Sequence, residues 1–250
     1  VFAAVFTVDD RQRLRDRLIS ASRADARISG AALTGSAALG CEDRWSDIDL
    51  ALCVRADADR AAVIADWTNR MYGEHAAVHH LDVAHGGAVY RVFLLGDTLQ
   101  VDLSFWPEAG FRAIGPSFRL LFGAAAQQTA APVPIVAELT GTGWLYALHA
   151  RSSVARGHAW QAEYMISGAR DQVLALACLR HDLPASHGRG IARLPAHVTE
   201  PIESAIVRSL DSLELKRAFA AVIEALLVEV NQADRALAAR LARPLRHLAR

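Results

Sequence analysis

The sequence predicts an α+β fold: a mixed β-sheet with flanking helices, followed by a helical bundle. Three observations predict it. Runs of alternating apolar and polar residues separated by glycine turns recur up to Pro107, the pattern of half-buried strands. Helix-period runs flank and interrupt them. Beyond Phe111 the pattern reads mostly helical. The expected division is a first domain over residues 1–110 and a helical domain over 111–250.

In chain order, Thr7 and Asp10 form a capping-box pattern that opens a helix from Asp9 to Ala26, with Leu14, Leu18 and Ala21 on one face. Ile28–Thr34 is a short apolar run ending at Gly35-Ser36, a buried strand and turn. Asp47–Val54 alternates with period two, and Asp59–Tyr72 is helical. Val78–Ala84, Val89–Leu95 and Thr98–Trp106 read as strands joined at Gly86-Gly87 and Gly96-Asp97. Pro107 ends the last of them, and Pro132 and Pro134 mark a turn between the halves. Helices are expected over Trp144–Ala155, Trp160–Arg180, Pro201–Ser209 and Leu213–Leu241, with His181–Glu200 as a loop.

Composition narrows the function classes. Lys+Arg and Asp+Glu number 27 each, so the formal charge is +0. That balance disfavours nucleic acid as a partner, which needs a basic surface. Cys41, Cys53 and Cys178 form no CxxC and read as reduced thiols, the usage of a cytoplasmic protein. The opening VFAAVFTV is too short and lacks the flanks of a signal peptide or membrane span, and no other stretch is long and apolar enough. No membrane partner is expected.

The informative segment is Gly35-Ser36-Ala37-Ala38-Leu39-Gly40 followed by Arg44-Trp45-Ser46-Asp47-Ile48-Asp49-Leu50. On a strand, Ile48, Leu50, Leu52 and Val54 point one way, and Asp47, Asp49, Ala51 and Cys53 the other. Two neighbouring carboxylates repel each other. A shared divalent cation relieves this, and hard oxygen donors select Mg²⁺. Asp102 lies on the polar face of its own strand, with Gln100 and Ser104, and supplies a third carboxylate. Three carboxylates suffice for two ions about 3.5–4 Å apart, the arrangement used for in-line phosphoryl displacement. The alternative is that these aspartates merely solvate an open sheet face.

Glycine after a strand lets backbone approach a ligand, so Gly35 and the Ser36 hydroxyl are candidates to hold triphosphate oxygens. There is no Walker P-loop. Arg44 either neutralises phosphate or is a solvated surface arginine. Ser46 either holds phosphate or is an ordinary turn serine. The histidines His79, His80, His85, His181, His187 and His197 lack metal-ligand spacing. Gly141-Thr142-Gly143 has no preceding strand, and Cys41 has no nucleophile-activating partner in the pattern. Trp45 and Trp106 read as packing residues.

The pattern GSxAxG, a short loop, SDIDL and a later strand aspartate resembles the nucleotidyltransferase superfamily typified by DNA polymerase beta. Within it the arrangement is similar to the small antibiotic nucleotidyltransferases. The likeness covers Val8–Pro107, and the helical half matches in general character alone. It implies a nucleotidyltransferase-type sheet and transfer of a nucleoside monophosphate from a nucleoside triphosphate co-substrate to a small hydroxylated acceptor, such as an aminoglycoside or lincosamide. It implies that Gly35 and Ser36 grip triphosphate, that Asp47 and Asp49 bind metal, and that Asp102 binds metal or takes the acceptor proton. It also implies a glutamate base in the helical half, for which Glu163 is the candidate. Arg170 is a weaker candidate for phosphate than for a salt bridge. Two other readings accompany it: a protein-directed transferase of the toxin–antitoxin type, and a non-catalytic nucleotide-binding module. A nucleic-acid polymerase of the superfamily is disfavoured by the neutral charge.

Overall fold

The computed structural model describes residues 6–114, 116–129 and 133–249. Pro132 of the proline pair and the VFAAV start lie outside the described residues. The chain divides into two compact units, Val1–Ala131 and Pro132–Arg250.

In the first unit the predicted capping box forms at Thr7 and Asp10 and opens α1 (Val8–Ala24). β1 (Ile28–Thr34), the short α2 (Gly35–Leu39), β2 (Ile48–Val54) and α3 (Arg60–Glu74) follow. Then come β3 (Ala77–His85), β4 (Ala88–Leu95) and β5 (Gln100–Pro107). Gly86 and Gly87 both have positive φ, as a two-residue turn matched to strand twist requires. Three further strands, β6 (Arg112–Ile114), β7 (Phe118–Phe122) and β8 (Ala126–Thr129), occupy a stretch whose sequence reads as mostly helical. Each is five residues or fewer, too short for period-two alternation to stand out.

The main sheet has the order β3-β4-β5-β2-β1-β7, and β6 pairs with β8 in a separate two-stranded sheet. Among the described residues only the central β2–β5 pair of the main sheet is parallel. A parallel pair needs a long crossover, here α3 and the β3–β4 hairpin. One face of the sheet carries the core: Ile48, Leu50, Leu52 and Val54 of β2 and Val101, Leu103 and Phe105 of β5 pack against Leu14 and Leu18 of α1 and Val63, Trp67 and Met71 of α3. The opposite face holds a smaller cluster of Ala32, Ala51, Cys53, Ala88, Trp106 and Phe111. The polar ends of β2 and β5 emerge on this face.

The second unit comprises α4 (Val136–Ala155), α5 (Ala159–Arg180), α6 (Ala196–Glu203), α7 (Ser212–Ala233) and α8 (Arg235–Leu248). Its core is apolar residues of α5 and α7, including Ile166, Val173, Phe219, Val222 and Leu226. The long helix expected over Leu213–Leu241 is two helices. Asp234 leaves helical geometry, caps α7, and its side chain accepts from Leu237 N at the start of α8. α6 lies partly within the segment read as a loop, and α4 starts eight residues before the expected Trp144. Among the described residues no helix is long and apolar enough to cross a membrane.

Candidate metal and nucleotide site

Asp47 immediately precedes β2, Asp49 lies on it, and Asp102 lies on β5. Asp49 and Asp102 are register partners in the parallel β2–β5 ladder. Alternation turns all three side chains away from the core, as the sequence predicts. Their ligand oxygens lie within 4.8 Å of one another, and all three residues are half-buried. Among the described residues this is the one cluster of three or more acidic, histidine or cysteine side chains so placed. The histidines form none.

Clustered carboxylates are costly without a compensating charge. Burial pushes the Asp102 carboxyl up to about 6; a hydrogen bond from Gln100 opposes the shift, and Asp47 adds to it. Gln100 Nε2 donates to Asp102 Oδ1 at 3.0 Å and lies 3.4 Å from Asp47 Oδ2. One amide thus ties two members of the trio. Sequence alternation put Gln100 on the same face, but a neutral amide carries no signal of its own. A cation seated here would reverse the electrostatics and favour all three ionised forms.

Gly35 sits against the trio. Its φ is +60, and a Cβ there would overlap the Asp49 carboxylate, reaching Cγ at 2.9 Å. Both the backbone angle and the close approach therefore require glycine. The next residue, Ser36, has a buried hydroxyl with no hydrogen-bond partner. Thr34, the N-cap of α2, makes no side-chain cap. An orphaned buried hydroxyl costs stability, and a ligand oxygen would relieve that cost.

The loop between α2 and β2 is held from below by α1. Arg11 is 1% exposed, and its Nη1 donates to the carbonyls of Asp43 and Ser46. Its Nε lies 3.4 Å from Glu42 Oε1, an ion pair without hydrogen-bond alignment. Arg15 donates to both oxygens of Glu42, at 2.7 and 2.6 Å. Sequence reasoning missed both arginines, because on a helix with six basic or acidic neighbours nothing distinguishes a buried cation from a solvated one. Their signal was position: i and i+4 on the face that carries Leu14 and Leu18.

Within this loop Ser46 already has partners. Its hydroxyl accepts from Asp43 N at 2.9 Å and donates to Asp43 Oδ1 at 3.1 Å. Trp45 N donates to the same Asp43 oxygen at 2.8 Å, and these bonds hold the Asp43 carboxyl below its usual range. The Arg44 guanidinium stacks 4.0 Å over the exposed Trp45 ring. Glu163 belongs to the second unit, on α5, where it accepts from Ser167 Oγ at 2.6 Å. Arg170, on the same helix, pairs with Asp171 at 3.2 Å.

Comparison with protein-family models and with curated protein sequences finds no match. Among solved structures, one similar chain is an aminoglycoside 6-adenyltransferase from Bacillus subtilis. It is 11% identical, the alignment covers 95% of this chain and 98% of that chain, and the TM-score is 0.40. At that level the geometry of the aspartates, not the likeness, carries the functional argument.

Proposed function

We propose that the protein transfers a nucleoside monophosphate from a nucleoside triphosphate to a hydroxyl of a small molecule, releasing pyrophosphate, with Mg²⁺ held by Asp47, Asp49 and Asp102. The observation that carries this reading is the convergence of three carboxylates within 4.8 Å on one sheet face. The donor set fits the ion: all oxygen, all anionic, with no imidazole or thiolate among them. Bound there, Mg²⁺ would supply charge neutralisation for the triphosphate and for the departing pyrophosphate.

The protein's own residues have separate tasks. The Ser36 hydroxyl, orphaned without a ligand, donates to a triphosphate oxygen. Gly35 lets that phosphate come close to Asp49. Arg44 offsets phosphate charge, and Ser46 holds the loop that presents it. The acceptor oxygen attacks the α-phosphorus in line, the bond from that phosphorus to the bridging oxygen breaks, and pyrophosphate leaves. The acceptor proton goes to a carboxylate, Asp102 or Glu163.

Calorimetric titration with ATP, GTP, CTP and UTP, with and without Mg²⁺, tests the reading. Mg²⁺-dependent binding of at least one triphosphate by the wild type, lost in Asp49→Asn, is expected. Failure of every triphosphate to bind would remove the basis for nucleotidyl transfer.

A further inference from the structure

On the same sheet face, one residue pair further along the strands, lies a cavity of about 140 Å³ lined by Ala51, Ser104, Tyr90, Trp106, Phe118 and Arg112. Its position relative to the aspartates follows from register. Asp102 pairs with Asp49, and two residues on Ser104 pairs with Ala51 on one side and Tyr90 on the other. Two residues of strand span roughly 6.6 Å.

Arg112 is the unusual member. Its Nε is buried with no hydrogen-bond partner, and Nη1 makes only a 3.3 Å bond to Gly110 O. Among the described residues it pairs with no carboxylate within 4.0 Å. Arg112 as a whole is half-buried, so solvent screens part of its charge, but an anion in the cavity would give the buried Nε the acceptor it lacks. The surrounding groups are donors rather than acceptors for a cation. Ser104 Oγ accepts from Trp106 Nε1 at 3.0 Å, which leaves its own proton to donate. Burial pushes the Tyr90 phenol up, so it stays protonated and can donate. Thr34 and Ser117 add two more hydroxyls. The cavity has room for several water-sized groups, enough for a carboxylate or a phosphate.

We propose that this cavity is a subsite for a small anionic group, a carboxylate or phosphate, carried by the acceptor. The assignment to the acceptor rests on the nucleotidyl-transfer reading; the anion site itself does not. An acceptor so held bears its reacting hydroxyl about one strand pair from its anionic handle. A polycation, such as an aminoglycoside, would meet like charge at Arg112.

The test follows the Trp106 indole N–H resonance, assigned with Trp106→Phe, during titration with inorganic phosphate and with acetate. Saturable shifts are expected in the wild type, with affinity at least tenfold weaker in Arg112→Gln. Asp49→Asn should retain anion binding, so loss of metal or nucleotide binding and loss of this subsite register separately. An absent shift, or equal affinity in Arg112→Gln, overturns the subsite. Should Arg112→Gln not fold, Tyr90→Phe and Ser104→Ala serve instead; each should weaken binding about threefold, and no change in either overturns it. Mg²⁺–triphosphate binding should be unchanged in Arg112→Gln. Its loss together with phosphate binding would assign the anion to the nucleotide and overturn the acceptor assignment.

Discussion

Asp49 and Asp102 sit side by side on the parallel β2–β5 strand pair, and Asp47 completes the trio one step before β2 begins. Register brings residues distant in sequence to one place, and like charge makes that place unfavourable when empty of cations. Asp49→Asn and Asp47→Asn should therefore each lower catalysis by at least about 100-fold. Neither should lower the unfolding free energy, since each removes repulsion. Pyrophosphate release in the transfer reaction, paired with urea unfolding of the same variants, reads both effects. Full activity in either variant would remove it from the metal-binding set.

Gly35→Ala should behave differently. The left-handed backbone costs a Cβ about 1–2 kcal/mol, and the methyl group would press on the Asp49 carboxylate. Loss of both stability and Mg²⁺ affinity is expected from one added methyl group on a residue that binds no metal itself. Wild-type Mg²⁺ affinity in Gly35→Ala would mean that Asp49 moves freely, and that the close approach is not needed for the site.

Much of this site was legible in the sequence, for a physical reason. Period-two alternation reports which face a strand residue occupies, so the DIDLALCV run alone placed Asp47 and Asp49 opposite the core, and the run through Asp102 did the same. Register is not local, and only the structure shows that Asp49 meets Asp102 rather than a neighbour two residues away. Gln100 and Arg11 were invisible as site residues because their roles depend on what lies across space: two carboxylates for one, two loop carbonyls for the other. The strands β6, β7 and β8 escaped notice because short segments carry too few residues for a period to emerge. The break between α7 and α8 at Asp234 was missed because a capping aspartate inside a long apolar pattern looks like one more polar position.

Arg11 is the least obvious residue on which the site depends. Arg11→Met fills much of the same volume but leaves the Asp43 and Ser46 carbonyls without their donor. Asp43 is exposed and Ser46 half-buried, so water can take up part of the loss and each hydrogen bond is worth about 0.5–1.5 kcal/mol, while Arg15 still satisfies Glu42. A loss of about 1–3 kcal/mol in urea unfolding is expected, with weaker triphosphate binding as the loop from Cys41 to Ser46 loosens. Stability equal to wild type would show that the loop does not need α1.

In the proposed reaction the acceptor proton goes to Asp102 or to Glu163. A general base contributes roughly 10²–10⁴ in rate. Glu163→Gln should slow single-turnover chemistry by about 100-fold or more while triphosphate affinity stays unchanged. An unchanged rate would assign the proton to Asp102.

Acid sensitivity has a separate origin, away from the site. Asp25, just after α1, accepts from Arg27 N at 3.0 Å, Nε at 2.9 Å and Nη2 at 2.9 Å, and from Trp67 Nε1 at 3.1 Å. The hydrogen bonds from Arg27 hold its carboxyl down at about 2, well below the usual carboxylate range, with burial opposing. A carboxylate depressed in the folded state stabilises the fold above its unfolded value, and that contribution disappears as pH falls through the folded value. The window is therefore about pH 4 down to about pH 2. Arg27 is itself 38% exposed, so solvent screening reduces the contribution to on the order of 1 kcal/mol. Asp25→Asn should be destabilised by about that much at pH 7, and the gap between variant and wild type should close as pH falls through this window. Urea unfolding of both proteins across that range measures it; a gap independent of pH would mean that Asp25 acts through Trp67 packing rather than through its charge.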